Sequence, residues 1–286
     1  MSRIHAKLIN NHIQKLSKEK DALSFNDLRL LVALERAVAR IEAHPKLSEH
    51  LIFKGGFVLL KTLTSNRFTR DIDALAVDLR RTQVPDLVRM ALKRDLDDGL
   101  WFGDIEVEDL KEQGNYGGYR ISFPFQIGDP PTAESKIKKL SRLHLDIGFG
   151  DEIERPTARE EMPSLLSNKT VLWRVYPLEF IYSEKLEAWV DRGQTSSRAK
   201  DIYDMTLIFP KLEPLKAWSA VQKTFETRKT PLPKTFSEFA NTLDTSVLET
   251  SWRSVYLIPP EKKFLDTWNI FKTQLKILDG WRTDHV

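Results

Sequence analysis

Apolar residues recur every three to four positions in two early stretches of the chain, "RIHAKLINNHIQKLSKEK" and "LRLLVALERAVARIEAH". Both predict amphipathic helices. The second follows "LSFND", where Ser24 and Asp27 stand at capping-box spacing, with Asp in place of Glu. The short apolar run Leu51–Phe53 predicts a strand, Gly55 and Gly56 a tight turn, and "FVLLKTL" a short helix. "DIDALAV" begins with alternation and predicts a strand, and "VPDLVRMALKRDLDD" a helix. "LWFGDIEVEDL" and "YGGYRISFPFQI" predict neighbouring strands joined by a Gly/Asn turn. "LSRLHLDIGFG" alternates polar and apolar residues up to a glycine, a further strand.

From about 150 to 170 the chain is polar with two prolines and reads as a linker. "VLWRVYP" predicts a short strand or an extended lead-in. "PLEFIYSEKLEAWVDRG" and "RAKDIYDMTLIF" predict helices, and more helices follow, punctuated by prolines. No internal repeat is visible. The pattern predicts an α+β chain: a mixed sheet with flanking helices over residues 1–165, then a mainly helical domain over 166–286.

Composition narrows the class without deciding it. The chain has 286 residues, 41% hydrophobic and 30% charged, which suits a globular protein with a sizeable core. No apolar run approaches the ~20 residues of a membrane span, and the N-terminus lacks the apolar core of a secretory signal. There is no cysteine, which excludes disulfides and thiolate metal sites and fits a cytoplasmic protein. A net charge of +3 permits an anionic partner without demanding one.

The candidate chemistry lies in carboxylates. Asp71 and Asp73 are two residues apart, so on a strand they share a face about 7 Å apart. Such a pair repels itself unless solvated or neutralised by a cation. Mg²⁺ suits it, because that ion takes one or two carboxylates along with phosphate oxygens and water. A D-x-D pair at a strand end is more often polar punctuation than a ligand pair. Asp146, set between Leu145 and Ile147, changes that balance, since a carboxylate among apolar neighbours needs a partner. His144 and Arg142 share its face, so a solvated strand edge remains the competing explanation.

Gly55 and Gly56 follow Lys54 and lead from strand to helix. Glycines there let backbone N–H groups approach a phosphate at a helix N-terminus, although a plain strand-to-helix turn looks the same. The order of the parts says more: strand, Gly-Gly, helix, D-h-D on the next strand, h-D-h on a later one. This resembles the nucleotidyltransferase fold of the DNA polymerase β superfamily. In the C-terminal half Lys185 lies on an apolar helix, and Arg198, Lys200, Asp201 and Asp204 open the next. Taken alone, these fit a helical hairpin closed by ordinary ion pairs.

Together, "FKGGFVLLK", "RFTRDIDAL", "LHLDIG", "YPLEFIYSEKLEAW" and "RAKDIYD" resemble the AbiEii/AbiGii-type (MenT-like) nucleotidyltransferases, from about Leu51 to Phe209. These are toxins of type IV-like toxin–antitoxin and phage-defence systems. The resemblance implies Mg²⁺-dependent transfer of a nucleotide from an NTP to an RNA acceptor such as the tRNA 3′ end, blocking translation, with a cognate antitoxin as a second partner. It implies metal binding by Asp71, Asp73 and Asp146. NTP binding falls to Lys54, Gly55, Gly56, Thr69, Lys185 and Arg198, and Lys185 and Asp201 join the aspartates as catalytic residues. Phe57 departs from the family, which often has Ser or Thr after the glycines.

Two other functions share these features. One is a nucleotidyltransferase acting on a small molecule, as in antibiotic resistance. The other is a non-catalytic module that binds nucleotide or a partner. An RNA acceptor asks for basic surface, for which Lys136, Lys138, Lys139, Arg142, Arg80, Arg81, Lys93 and Arg94 are candidates, each also explicable as a solvated face. Trp218, Phe225, Trp252, Trp268 and Phe271 are expected in the helical core.

Overall fold

A computed structural model describes residues 3–19, 23–63, 68–113, 116–151, 159–166, 170–253, 255 and 261–283. The chain divides into two compact units. The first holds Met1–Lys61, Thr69–Gly150 and Thr157–Val175, and the second Thr62–Phe68, Asp151–Pro156 and Tyr176–Val286.

The first unit opens with α1 (Arg3–Glu19), α2 (Phe25–Glu42) and α3 (Pro45–His50). The expected capping box starts α2: Asp27 N–H donates to Ser24 Oγ at 3.1 Å, and Ser24 N–H to Asp27 Oδ2 at 3.0 Å. Helix α2 is buried on nearly every side, which is why its apolar stripe is so broad. Then come β1 (Leu51–Lys54), α4 (Gly55–Thr62), β2 (Asp71–Ala76), α5 (Val84–Lys93), β3 (Leu100–Phe102), β4 (Glu106–Gln113), β5 (Tyr116–Ile127), α6 (Glu134–Ile137) and β6 (Arg142–Phe149). A separate hairpin pairs β7 (Arg159–Pro163) with β8 (Thr170–Arg174).

The main sheet runs β1-β2-β6-β5-β3, with β4 also paired to β5. Strands β2 and β6 are parallel and the other pairs antiparallel, so the sheet is mixed as expected. One face is core: Phe53, Ile72, Ala74, Ile121, Phe123, Leu143, Leu145 and Ile147 are fully buried. Arg40 of α2 anchors this unit. All five of its N–H groups are used, on Asp98 (both oxygens, 2.7 Å each) and on the carbonyls of Arg36, Arg94 and Leu100.

Three boundaries differ from the pattern. Helix α5 stops at Lys93, because Arg94 turns to extended backbone (φ −68°, ψ 125°) as its C-cap, and "RDLDD" offers only Leu96 as a further apolar position. "LWFGDIEVEDL" breaks into β3 and β4, which lie along the same side of β5. Part of the supposed linker is strand β7, of which only Met162 is buried. The Gly/Asn turn at 114–115 lies outside the described residues.

The second unit is helical: α7 (Leu178–Arg192), α8 (Ala199–Ile208), α9 (Pro214–Arg228), α10 (Phe236–Thr242), α11 (Ser246–Trp252) and α12 (Phe264–Thr283). Its core is aromatic. Trp189 packs edge-on against Phe239, Trp268 and Phe271 with centroids 5.1 to 6.2 Å apart. Trp218, Phe225, Trp268 and Phe271 are buried as expected, while Trp252 is half-buried.

Candidate active site

The Gly-Gly turn and the D-x-D strand touch. Gly55, the first residue of α4, has φ +74°, which L side chains rarely adopt. A Cβ built there would lie 2.0 Å from Asp73 Oδ2 and 2.7 Å from its Cγ. Glycine is therefore needed twice, for the backbone conformation and for the space that the Asp73 carboxylate fills. Gly56 is buried within α4. Thr69, just before β2, is half-buried, and its hydroxyl donates to the Asp71 carbonyl at 3.4 Å.

Strand register assembles the rest. Lys54 pairs with Asp73, Asp73 with Asp146, Asp146 with Arg120, and Arg120 with Glu108. These five residues form one row across β1, β2, β6, β5 and β4, all on the face opposite the apolar core. The next row on that face runs Asp71, His144, Ser122, Glu106. Asp71, Asp73, His144, Asp146 and Arg120 are all half-buried, so this face is the polar one.

Arg120 was not among the expected site residues. Its Nε donates to Asp146 Oδ1 at 2.8 Å and its Nη2 to Oδ2 at 2.7 Å. The Asp146 hydrogen bond chiefly, then the charges of Asp146, Asp71 and Asp73, raise its pKa against the opposing effect of burial. One guanidinium thus sits in the field of three carboxylates. The local signal was the alternation in "YRISF", but the partner strand is not legible from it.

Among the described residues, no group of three or more His, Asp or Glu side chains is arranged to hold a metal ion. Asp146 turns both its oxygens to Arg120. The chemistry of the donors nevertheless fits a hard divalent ion: Asp71 and Asp73 are oxygen ligands on one strand face, in a field negative enough to hold a guanidinium.

In the second unit Lys185, on α7, donates to Asp201 Oδ1 at 2.6 Å and lies 2.9 Å from Asp204 Oδ2. Arg198 Nη1 is 3.3 Å from Asp201 Oδ2. Burial alone would raise the Asp201 carboxyl, but the charges of Lys185 and Arg198 and the Lys185 hydrogen bond pull it down to about 2. Asp201 and Asp204 share a helix face, as their spacing required.

Most of the candidate RNA-binding cations have partners of their own. Arg81 pairs with Asp109, Lys93 with Asp104, Lys138 with Glu134, and Arg142 with Glu106, while Arg94 bonds the Ala43 carbonyl. Among the described residues, no helix is long and apolar enough to cross a membrane.

The mixed sheet with flanking helices is a nucleotidyltransferase fold. The chain is similar to JHP933 from Helicobacter pylori at 18% identity and a TM-score of 0.58, covering 92% of this chain and 97% of that one. It is also similar to a candidate nucleotidyltransferase from H. pylori at 15% identity and a TM-score of 0.53, covering 90% and 96%. At such identities the likeness concerns the fold alone. No curated protein matches the sequence. Residues 36–262 match the family described as nucleotidyl transferase AbiEii toxin, type IV toxin–antitoxin system. The chain belongs to this family and is a nucleotidyltransferase. Membership implies a nucleotide substrate and an antitoxin partner.

Proposed function

We propose that the chain transfers a nucleotidyl group from an NTP to the 3′ hydroxyl of an RNA such as tRNA, and so blocks translation as the toxin of a phage-defence system in the cytoplasm. The observation that carries this is the close approach of Gly55 to Asp73, which stands in one row with Lys54, Asp146 and Arg120. It sets a helix N-terminus and a lysine, both suited to phosphate, beside carboxylates suited to a cation.

The acceptor oxygen attacks the α-phosphorus, a P–O bond forms, and the bond to the β-phosphate breaks to release pyrophosphate. Mg²⁺, when bound, neutralises charge on the attacking and leaving oxygens. Asp71 and Asp73 are assigned to hold it. Asp146 completes that set or takes the proton of the acceptor hydroxyl. Lys54 and the N–H groups of Gly55 and Gly56 are assigned to orienting the phosphates, and Thr69 to the NTP from the family resemblance. Lys185 and Arg198 are assigned to the triphosphate from the family resemblance. Asp201 holds both in place, supported by its hydrogen bond to Lys185.

The test is incubation of the purified chain with each labelled NTP, Mg²⁺ and total RNA. Label at an RNA 3′ end that is lost in Asp73→Ala supports the proposal. Because so many surface cations are paired within the protein, a small-molecule acceptor is the outcome to watch for. Label in a small molecule and none in RNA would replace the acceptor while keeping the chemistry.

A further inference from the structure

The Arg120–Asp146 pair differs from the other bidentate pair of the first unit. Arg40 is buried and the Asp98 side chain nearly so (1% and 9% exposed), and every Arg40 donor is satisfied. Arg120 and Asp146 are 40% and 19% exposed, and Arg120 Nη1 has no partner among the described residues. Arg40 is a fixed strut. Arg120 has a free donor on the polar face and a partner it can leave without stranding a fully buried charge.

We propose that Arg120 is a triphosphate-binding residue held ready by Asp146, and that the two exchange partners when a metal–nucleotide complex binds: Asp146 turns to the cation and Arg120 to the phosphates. This rests on the metal-dependent function proposed above and deepens it. The guanidinium fork fits phosphate as well as it fits carboxylate, so Arg120 loses no hydrogen-bond geometry in the exchange. Charge balance is kept at both residues, because the complex brings one partner of each sign.

The two ligands then help each other. A cation alone has to compete with a bidentate guanidinium for Asp146. A triphosphate alone meets a guanidinium already engaged, in a row of carboxylates. Each ligand frees the group that the other needs, so their affinities are coupled, and reciprocally.

The test measures Mn²⁺ binding by isothermal titration calorimetry, with and without an α,β-methylene NTP analogue. Wild type, Arg120→Met, Arg120→Lys and Asp73→Asn are compared, each with a circular dichroism check of fold. In wild type the analogue should tighten Mn²⁺ binding by about tenfold or more, the range of ordinary coupling. In Arg120→Met, Mn²⁺ alone should bind about tenfold tighter than in wild type, and the gain from the analogue should shrink to what its own phosphate oxygens supply as ligands. Arg120→Lys keeps the charge but not the fork, so its coupling should be intermediate; it carries the test if Arg120→Met does not fold. Wild-type coupling in the Arg120 variants overturns the exchange. So does weaker Mn²⁺ binding in a folded Arg120→Met, which would make Arg120 a mere support for Asp146. If wild type takes up no more Mn²⁺ than Asp73→Asn does, the metal site itself fails, and the exchange with it.

Discussion

Gly55→Ala tests the joint between the turn and the carboxylates more sharply than removal of an aspartate, because it deletes no functional group. Two costs are visible in the structure. The φ of +74° places a β-carbon in the left-handed region, about 1–2 kcal/mol for an L residue. The new methyl would also lie 2.0 Å from Asp73 Oδ2 and 2.9 Å from its Cβ, so the carboxylate or the turn must move. The two together should destabilise the fold by about 2–4 kcal/mol, read as a shift in the urea midpoint at constant slope. A displacement of about 1 Å in a ligand that positions reacting groups costs roughly 10²-fold in rate.

A double-mutant cycle separates the two costs. In an Asp73→Ala background the Oδ2 and Cγ contacts are gone, and only the contact to Cβ and the backbone strain remain. Gly55→Ala should then cost less than in wild type, by about 1 kcal/mol or more of coupling. Equal cost in the two backgrounds would show that the methyl finds room without touching Asp73. Wild-type transfer by a folded Gly55→Ala protein would refute the idea that the turn sets the position of the carboxylate.

The remaining predictions concern buried charge. Lys185→Met leaves Asp201 and Asp204 buried without their shared cation and should cost about 3–5 kcal/mol by urea unfolding. Asp201, held at about 2 against an ordinary 3.8, adds about 2 kcal/mol that is fully present above pH 4 and lost as pH falls towards 2; Asp201→Asn should remove that slope from an acid titration of stability. Glu42 runs the other way. Burial, partly offset by the Arg174 backbone N–H and the charges of Arg159 and Arg174, pushes its carboxyl up to about 7 from 4.5. Stability tied to its protonated form is complete below pH 4.5 and declines through pH 7, so Glu42→Gln should stabilise by up to about 3 kcal/mol at pH 8 and by nothing at pH 4. A pH-independent gain would contradict the cause assigned. Arg40→Met strands Asp98 and should cost about 3–5 kcal/mol without altering the polar face of the sheet.

How much of this was legible depended on whether the signal was local. The Ser24–Asp27 box, the α2 stripe and the strands bearing Asp71, Asp73 and Asp146 all follow from spacing within one element. Strand β7 did not, because four of its five residues are exposed and its pairing comes from β8. Gly55 was legible as a turn, but not as the residue that makes room for Asp73, which depends on β1 lying beside β2. Arg120 was missed for the same reason. Nothing in "YRISF" says that β5 lies next to β6 rather than at the far edge.

The two acid–cation groups also show how exposure separates an ion pair that a ligand must meet intact from one that it can exchange. Lys185 and Asp201 are 14% and 4% exposed, so parting them leaves the Asp201 carboxylate with almost no access to solvent, and the pair resists any competitor short of another charged group placed at the same spot. Arg120 and Asp146, at 40% and 19%, are partly screened already, so the cost of parting is nearer that of a surface pair, about 1 kcal/mol rather than several. A ligand of ordinary affinity can supply that difference. It follows that a charge-conserving change should be tolerated differently at the two places. Lys185→Arg must fit a larger fork into a packed helix face against two carboxylates, and should destabilise the fold. Arg120→Lys has solvent to accommodate it, and should leave the urea midpoint nearly unchanged while weakening nucleotide binding. If both substitutions prove equally disruptive to stability, Arg120 is held as firmly as Lys185, and the polar face of the sheet is more rigid than its exposure implies.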